Sequence, residues 1–364
     1  MLTETEIKLR LPDVLDVDPT AIPLFLERLS GNWEQVELFN QYFDTPELAL
    51  DRAGYALRLR RDGDQCIQTF KGRGESLAGF SVRSEWDWYL SSEQVDLQPL
   101  LDLDRPALLG SDTLAALKPL FRTDFQRTKG KLNWVFDGIP VEVEVALDRG
   151  AATAEKASSP ICELELELRQ GPPEALFAFA KEVAAQLPLM PWDSAKAERG
   201  YRLLDPERKP LAPKLSRDVF AQPLSEALPL LGSYLLASAQ YGSELLSMGT
   251  AGAVDKVDQA LKLIIEFESL LSHVDATPLS GAFERTTRLH KALFTGLPSA
   301  EEQPVELFNR LQGKTDWGVL MLGQSERLYL WHKEPPQAKG ASLGELLCQS
   351  ETLFSGLKAL RSEI

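Results

Sequence analysis

The sequence predicts an α+β protein, with an antiparallel β-domain in the first half and a helical bundle in the second. Three observations support this class. Most segments up to residue 168 alternate apolar and charged residues, which is the period of a half-buried strand. Short turns such as Asp62-Gly63 join them, which favours hairpins over parallel βαβ units. After a Pro-rich hinge at residues 205–213, apolar residues recur at helical spacing.

The composition excludes several classes of protein. At 364 residues the chain is long enough for two domains, and its net charge of −15 argues against general nucleic-acid or membrane binding. A local cationic pocket is still compatible with that charge. The three cysteines, Cys66, Cys162 and Cys348, are too far apart to indicate a zinc site or a disulfide framework. The chain shows no signal peptide and no apolar run that spans a bilayer, so we expect a cytoplasmic protein.

The first strand, residues 1–10, has two contrasting faces. Thr5, Ile7 and Leu9 lie on one face because side chains alternate along a strand. The other face carries Glu4, Glu6, Lys8 and Arg10. Carboxylates followed by cations suit a polar cavity that holds a metal ion beside an anion, but they also suit a solvated edge strand.

The same alternation continues along the first half, interrupted by turn-forming residues such as Asp44-Thr45-Pro46 and Asp137-Gly138. Strands are predicted at residues 33–44, 55–61, 66–71, 80–90, 120–127, 131–136, 140–147 and 161–168. Apolar residues at helical spacing predict helices between these strands, at residues 22–29, 47–53, 91–119 and 171–187.

The strands share a strongly charged face. An open sheet would leave this face in water, whereas a closed barrel with its apolar face outside would enclose it, and the spacing leaves both arrangements open. Enclosed like charges are costly unless they are paired or metal-bound, so a closed barrel predicts a site for a divalent ion and a polyanion. The residues concerned are Glu4, Glu6, Lys8, Arg58, Arg60, Lys71, Arg83, Glu85, Glu142, Glu144, Asp148, Glu163, Glu165 and Glu167.

Eight short motifs in register give this part of the chain a family resemblance. They are Glu4-x-Glu6-x-Lys8, Leu57-Arg58-Leu59-Arg60, Thr69-Phe70-Lys71, Arg83-x-Glu85, Phe121-Arg122-Thr123-Asp124-x-x-Arg127, Glu142-x-Glu144 to Asp148, Glu163-x-Glu165-x-Glu167 and Ser194-x-Lys196-x-x-Arg199-Gly-Tyr. Residues 1–202 thus resemble the CYTH, or triphosphate tunnel metalloenzyme, family, and most closely its bacterial inorganic triphosphatases. The resemblance implies a closed antiparallel eight-stranded β tunnel flanked by helices, and metal-dependent hydrolysis of triphosphate.

The resemblance also implies roles for the charged residues. A Mg²⁺ or Mn²⁺ ion would bind to Glu4 and Glu6, joined by Glu163 or Glu165. A second ion would be held by some of Glu144, Asp148 and Glu165, and Glu85 is a further candidate ligand. The triphosphate would be bound by Lys8, Arg58, Arg60, Lys71, Arg83, Arg122, Arg127, Lys196 and Arg199. For Arg199 an alternative role is to tie down the C-terminal helix of this domain. The catalytic set would be Glu4, Glu6, Lys8 and Lys196, with Lys196 neutralising or protonating the leaving oxygen. Supporting or rim positions are expected for Arg10, Asp87, Glu142 and Glu167.

The second half is expected to be a helical domain of residues 216–364, after a linker at 203–215. Its position corresponds to that of a CHAD domain, but it is shorter than such domains. Acidic and amide residues, Asp255, Asp258 and Gln259, occur where CHAD domains carry cations that bind polyphosphate. Protein docking or self-association is therefore the expected role. Helices are predicted at residues 219–241, 253–273, 281–295, 305–311, 325–332 and 343–361.

The expected reaction is hydrolysis of inorganic triphosphate to pyrophosphate and phosphate, with inorganic triphosphate or another small triphosphate as the partner. A class IV adenylate cyclase and a thiamine triphosphatase would share the tunnel and are alternatives. A non-catalytic polyphosphate-binding or scaffold protein is an alternative of another kind. Such a binder, however, gains nothing from carboxylates in its pocket.

Overall fold

The computed structural model describes residues 2–12, 15–72, 74–103, 108–274, 281–297, 303–338, 342–349 and 354–363. Its strands are β1 (Leu2–Arg10), β2 (Leu29–Asp44), β3 (Ala56–Asp62), β4 (Gln65–Lys71), β5 (Glu75–Leu77), β6 (Phe80–Leu90), β7 (Lys118–Phe136), β8 (Ile139–Ala154), β9 (Ala157–Gln170) and β10 (Met190–Pro191).

Its α-helices are α1 (Pro23–Leu26), α2 (Ala49–Arg52), α3 (Gln98–Leu101), α4 (Ser111–Ala115), α5 (Pro173–Gln186), α6 (Lys196–Leu204), α7 (Leu224–Ser247), α8 (Ala253–His273), α9 (Ala282–Phe294), α10 (Gln303–Gln312), α11 (Thr315–Lys333), α12 (Leu343–Gln349) and α13 (Ser355–Glu363). Two 3-10 helices occupy Pro19–Ala21 and Arg217–Ala221. Within the described ranges, every helix is too short or too polar to cross a lipid bilayer.

Eight antiparallel strands close into a barrel. Their order is β1-β9-β8-β7-β2-β3-β4-β6, and β6 pairs back with β1 from Leu2 opposite Glu85 to Ile7 opposite Phe80. Strand β5 adds to β6 beyond the end of β4. The predicted α+β class and the closed antiparallel eight-stranded barrel are thus confirmed.

Several strands are longer than the alternation predicted. The segments 120–127 and 131–136 form one strand, β7, that runs through Gly130. A side chain at Gly130 would lie 2.8 Å from the ring of Trp33, so this glycine accommodates a neighbouring ring rather than ending the strand. Strand β2 already begins at Leu29, which shortens the predicted first helix to α1.

The apolar faces of the strands lie outside the barrel. Helices α2, α3 and α4 supply Leu50, Leu100 and Leu114 to a buried cluster with Leu57 of β3 and Phe70 of β4. The predicted long helical stretch at 91–119 is therefore reduced to two short helices that cover this face. Burial of each large apolar side chain stabilises such a layer by about 1.5–3 kcal/mol.

The chain divides into two compact units. The first comprises Met1–Leu176 and Asp193–Arg208, and the second comprises Phe177–Trp192 and Lys209–Ile364. The predicted boundaries of 1–202, 203–215 and 216–364 differ from this division at residues 177–192. These residues pack inside the helical unit, where Gln240 Nε2 donates to the carbonyl oxygen of Pro191 at 3.0 Å. Phe177 also contacts Tyr329, with 5.6 Å between ring centroids.

The helical unit follows the predicted pattern with three differences. Helix α7 extends to Ser247, and the segment 343–361 contains two helices, α12 and α13. Residues 350–353, between them, lie outside the described residues. Helix α11 begins at Thr315, ten residues before the predicted start, and includes Gly318. A side chain at Gly318 would lie 2.4 Å from the carbonyl oxygen of Leu189, so this glycine permits close packing within the helix.

Candidate active site

The closed barrel encloses the charged faces of its strands. Residues opposite each other in an antiparallel pair share a face, and Lys8 lies opposite Glu165. Asp148 in turn lies opposite both Arg127 and Glu163. Lys8 is 3% exposed, and Asp148 and Glu163 are fully buried. Of the two arrangements left open by the spacing, the structure therefore has the charged interior.

A carboxylate cluster of Asp148, Glu163 and Glu165 lies on β8 and β9, with one oxygen from each within 4.8 Å of the others. Such a cluster could hold a metal ion. The ammonium group of Lys196, at the start of α6, lies at its centre, 2.8 Å from Asp148 Oδ2, 2.5 Å from Glu163 Oε1 and 2.7 Å from Glu165 Oε1.

Two arginines complete the surroundings of this cluster. Arg127 donates from Nε and Nη2 to the two oxygens of Asp148, both at 2.7 Å, and from Nη2 to Glu165 Oε2 at 2.6 Å. Arg199 Nη2 lies 3.5 Å from Glu163 Oε2. Of the two roles predicted for Arg199, this contact favours tying α6 to the barrel wall over binding phosphate.

The charge on Lys196 is strongly stabilised. Burial disfavours the charged form, but Asp148, Glu163 and Glu165 outweigh this effect and hold the pKa of Lys196 well above its ordinary value. An ammonium group that retains its proton so firmly is a poor proton donor to a leaving oxygen. Of the two roles predicted for Lys196, the raised pKa therefore favours neutralisation of negative charge over protonation of the leaving oxygen.

A second acidic group, here called the Glu4 group, comprises Glu4, Glu6, Glu144 and Glu167. Glu167 lies opposite Glu6 on β1 and Glu144 on β8. Burial raises the pKa of the Glu167 carboxyl to about 8, and the charges of Glu4, Glu144 and Glu6 act in the same direction against Arg169. A hard divalent ion such as Mg²⁺ or Mn²⁺ would relieve the repulsion between these carboxylates.

The cations near the Glu4 group only partly balance it. Lys71 Nζ lies 2.8 Å from Glu4 Oε2 and 3.2 Å from Glu85 Oε2, so it is shared with a carboxylate outside the group. Arg83 Nη2 lies 3.5 Å from Glu6 Oε1. Glu85, a predicted metal ligand, is paired with Lys71 and lies 3.5 Å from Arg58 Nη2.

Two cations of the barrel interior have no carboxylate partner. Within the part of the chain that the structure describes, neither Lys8 nor Arg60 forms an ion pair. Arg60 Nε donates to Asn40 Oδ1 at 2.8 Å. Burial, together with the charges of Arg58 and Arg127, lowers the pKa of Arg60 to about 10. This crowding of positive charge is relieved by a bound anion, so the arrangement suits a polyanion.

The structure does not bring Arg122 to this interior. Arg122 and Arg127 lie an odd number of residues apart on β7 and therefore point to opposite faces. The Arg122 side chain is 49% exposed and pairs with Asp124 at 3.1 Å. Its position corrects the expectation that it contacts the substrate.

Sequence reasoning missed several polar residues at the site. Asn40 is 1% exposed, positions Arg60 and donates from Nδ2 to the carbonyl oxygen of Thr123 at 2.7 Å. Ser81 donates to Glu6 Oε1 at 3.2 Å. Neither residue is charged, so neither contributed to the charge pattern. Glu167 was predicted on the charged face but at a supporting or rim position, whereas the structure places it opposite Glu6 and Glu144.

Helix α6, which carries Lys196, fits closely against the barrel. Tyr201 donates to Asp44 Oδ2 at 3.0 Å, and Arg208 binds Asp51 and Glu198 just beyond the helix. Gly200 faces the ring of Phe121, where an added Cβ would lie 2.0 Å from Cδ2. Only glycine fits this contact without displacement of the helix or the ring.

We expect Gly200→Ala to lower the free energy of unfolding by about 1–3 kcal/mol, since the added methyl group overpacks the contact with Phe121. Thermal unfolding of the two proteins measures the effect. Gly313→Ala is the matched control, because its Cβ would meet no atom closer than 3.7 Å. Equal losses in both variants would contradict the close packing of α6.

Comparisons with known proteins found similarity over the barrel part of the chain. A curated inorganic triphosphatase from Haemophilus influenzae is 30% identical over 208 residues, which cover 56% of this chain and 55% of that protein. The chain thus matches only about half the length of this relative.

Two solved structures are similar over the same part. HpAC1 from Hippeastrum, described as an adenylyl cyclase with a dominant triphosphatase activity, is 22% identical, with a TM-score of 0.39. The PH1819 protein from Pyrococcus horikoshii OT3 is 18% identical, with a TM-score of 0.34. In both cases the match covers 56% of this chain and 99% of the other.

The family assignment does not depend on these structures, because their TM-scores are low. It rests on the sequence match to the CYTH domain, which extends over residues 2–201 and therefore over more than half of the chain. The protein belongs to the CYTH family.

Proposed function

We propose that this protein hydrolyses inorganic triphosphate to pyrophosphate and phosphate with Mg²⁺ or Mn²⁺ as cofactor. One observation carries the proposal: inside a closed barrel, the interior cations Lys8 and Arg60 have no carboxylate partner among the described residues, while the carboxylates of Glu6, Glu144 and Glu167 lie opposite one another on neighbouring strands. A triphosphate anion would pair with these cations, and a divalent ion would pair with these carboxylates.

Substrate binding is assigned to the cations that line the interior. Lys8 and Arg60 bind phosphate oxygens directly, and Arg58 reinforces the positive charge beside them. Asn40 holds the Arg60 guanidinium through its Nε, which leaves the two terminal nitrogens of Arg60 for the anion. Arg127 and Lys196 stay paired with their carboxylates and orient the wall behind the substrate.

Catalysis follows mainly from charge neutralisation and positioning, since the negative charge of a phosphoanhydride repels an attacking nucleophile. Glu4, Glu6, Glu144 and Glu167 would hold the divalent ion, which would further neutralise the phosphate oxygens. Lys8 and Arg60 fix the phosphate chain in one orientation, so that a water can attack the terminal phosphorus in line with the leaving pyrophosphate.

The H. influenzae relative is named an inorganic triphosphatase, and this supports the choice of substrate. A substrate panel of tripolyphosphate, ATP, thiamine triphosphate and long-chain polyphosphate tests it, with and without Mg²⁺ or Mn²⁺. We expect metal-dependent phosphate release, fastest from tripolyphosphate. Formation of cyclic AMP from ATP would reject the proposal in favour of a cyclase. A preference for thiamine triphosphate would replace tripolyphosphate as the proposed substrate. Binding of these compounds without turnover would indicate a scaffold protein.

Arg60→Ala should raise the KM for tripolyphosphate by about 10- to 100-fold, because a charge-assisted hydrogen bond contributes about 1.5–3 kcal/mol. Steady-state kinetics measure the change. Arg122→Ala removes the same kind of side chain from the outer face of the barrel and should leave KM within about twofold. Similar effects of the two substitutions would contradict binding inside the barrel.

The helical unit has no assigned chemistry in this proposal. Protein docking or self-association stays the predicted role of the second half. Cytoplasmic location also remains a prediction from the sequence.

A further inference from the structure

We propose that Asp193 is a positioning residue for Lys8, one of the two cations assigned to the triphosphate. Asp193 lies in the segment between β10 and α6, three residues before Lys196. The inference rests on the proposed function and deepens it, because it adds a residue that contacts neither the substrate nor the metal ion. Asp193 acts through the hairpin of β5 and β6.

The Asp193 carboxylate accepts three hydrogen bonds from this hairpin. Its Oδ1 accepts from Ser76 Oγ at 2.6 Å and from the backbone N–H of Gly79 at 2.8 Å, and its Oδ2 accepts from the backbone N–H of Ala78 at 3.2 Å. Among the described residues, Asp193 forms no ion pair. Hydrogen bonds to an ionised acceptor are stronger than those between neutral groups, so this carboxylate holds the hairpin firmly.

The tip of the hairpin needs such support because its backbone is strained. Leu77 pairs with Phe80, so Ala78 and Gly79 form a two-residue loop. Both have positive φ, 51° for Ala78 and 83° for Gly79, as a tight hairpin turn requires. Glycine adopts this region readily, but the Cβ of alanine is crowded there. The N–H groups that bind Asp193 are those of the same two residues.

The loop is in turn bonded to β1 at Lys8. The carbonyl oxygen of Gly79 accepts from the backbone N–H of Lys8 at 2.9 Å. The pairing of β1 with β6 ends at Ile7 opposite Phe80, so this bond continues the support of β1 by one residue. On its other edge, Lys8 lies opposite Glu165 of β9. Asp193 is therefore connected to the Lys8 backbone through a single loop residue.

The backbone at Lys8 decides where its ammonium group lies. Lys8 forms no ion pair among the described residues, so no salt bridge fixes the side chain from its charged end. An oriented group loses much of its effect when it is misplaced by about 1 Å. The strands on both sides of β1 and the loop at Gly79 therefore have to hold Lys8 in position for the anion.

Hydrogen exchange and steady-state kinetics of the intact protein test the inference together. Asp193→Ala should speed exchange at the Lys8 backbone amide by about 10-fold or more, as measured by NMR, while core amides such as that of Val145 stay unchanged. The KM for tripolyphosphate should rise by about 3- to 10-fold and kcat should stay within about twofold, because Lys8 contacts the phosphate chain before and during the reaction. A merely structural role would lower the amount of active protein, and thus the apparent kcat, at an unchanged KM.

A second substitution separates positioning from general damage. Ala78→Gly removes the crowding at positive φ, so the loop can form without the carboxylate. Asp193→Ala combined with Ala78→Gly should therefore return the KM to within about twofold of the wild-type value. Asp64→Ala removes an exposed aspartate from the turn between β3 and β4 and is the matched control. It should leave the KM and the Lys8 exchange rate unchanged.

A milder variant serves if Asp193→Ala does not fold. Asp193→Asn keeps one oxygen acceptor but loses the charge and the acceptor for the N–H of Ala78. It should change the KM and the Lys8 exchange rate in the same direction by smaller factors. Circular dichroism establishes that each variant is folded before it is measured.

Unchanged exchange at Lys8 and an unchanged KM in folded Asp193→Ala would overturn the inference while leaving the proposed function in place. A fall in kcat at constant KM, or a raised KM that Ala78→Gly does not restore, would overturn it as well. A wild-type protein that releases no phosphate from tripolyphosphate would contradict the proposed function instead. The exchange rate at Lys8 would then still decide whether Asp193 positions this residue.

Discussion

Replacement of Glu6 with Gln is expected to reduce metal-dependent turnover of tripolyphosphate by about 100-fold or more, while the fold stays intact. The substitution preserves the shape of the side chain but removes the charge of a carboxylate that we propose as a metal ligand. Glu6 is 6% exposed and contacts Ser81 and Arg83, so bulk water has little access to replace the lost charge. Phosphate release at saturating Mg²⁺ measures the effect.

Glu37→Gln is the matched control for this experiment. Glu37 is an exposed residue on the outer face of β2, opposite Gln126, and should be dispensable for turnover. Thermal unfolding of both variants separates a catalytic effect from a loss of structure. Unchanged activity of Glu6→Gln would show that the Glu4 group is not part of the active site.

The largest effect on stability is expected in the helical unit, where α8 and α11 share a buried ion pair. Glu268 and Arg327 have side chains that are 1% and 4% exposed. Arg327 Nη1 donates to Glu268 Oε2 at 3.1 Å, and Gln324 Nε2 donates to Glu268 Oε1 at 2.6 Å. The guanidinium also packs between the rings of Phe267 and Trp331.

Arg327→Met leaves the Glu268 carboxylate buried without its cation, which typically costs about 3–5 kcal/mol. For a unit of this size we expect the melting temperature to fall by on the order of 10 °C. Differential scanning calorimetry measures the shift. Lys262→Met, which removes an exposed pair with Asp258, should change it by about 1 °C or less.

A double replacement separates the cost of leaving Glu268 unpaired from the stability that the ion pair itself provides. Arg327→Met with Glu268→Leu exchanges the buried pair for apolar side chains and should recover much of the lost stability. A single variant as stable as the wild-type protein would show that the buried pair carries little of the free energy of unfolding.

The sequence was sufficient to predict the barrel because its strands carry two independent signals. Alternation identified the strands, and the eight motifs placed Glu4, Glu6, Lys8, Arg58 and Arg60 in register. The ends of the strands were harder to predict from the sequence. Gly130 reads as a break in a local pattern, but in the fold it is a contact for Trp33 from a distant strand.

The roles of individual charges depend on contacts that alternation does not encode. Arg122 belongs to the same motif as Arg127 but points to the opposite face. Lys196 belongs to α6, after the last barrel strand, so its encounter with Asp148 and Glu163 is set by tertiary packing. Asn40 carries no charge, and only its hydrogen bond to Arg60 indicates its part in the site.

The most direct measurement is a crystal structure of the wild-type protein with Mn²⁺ and an imido analogue of tripolyphosphate that resists hydrolysis. We expect the analogue inside the barrel, with phosphate oxygens within hydrogen-bond distance of Lys8 and Arg60. We also expect an anomalous Mn²⁺ peak beside Glu4 and Glu6. An analogue bound outside the barrel, or no peak inside the barrel, would contradict the proposed site.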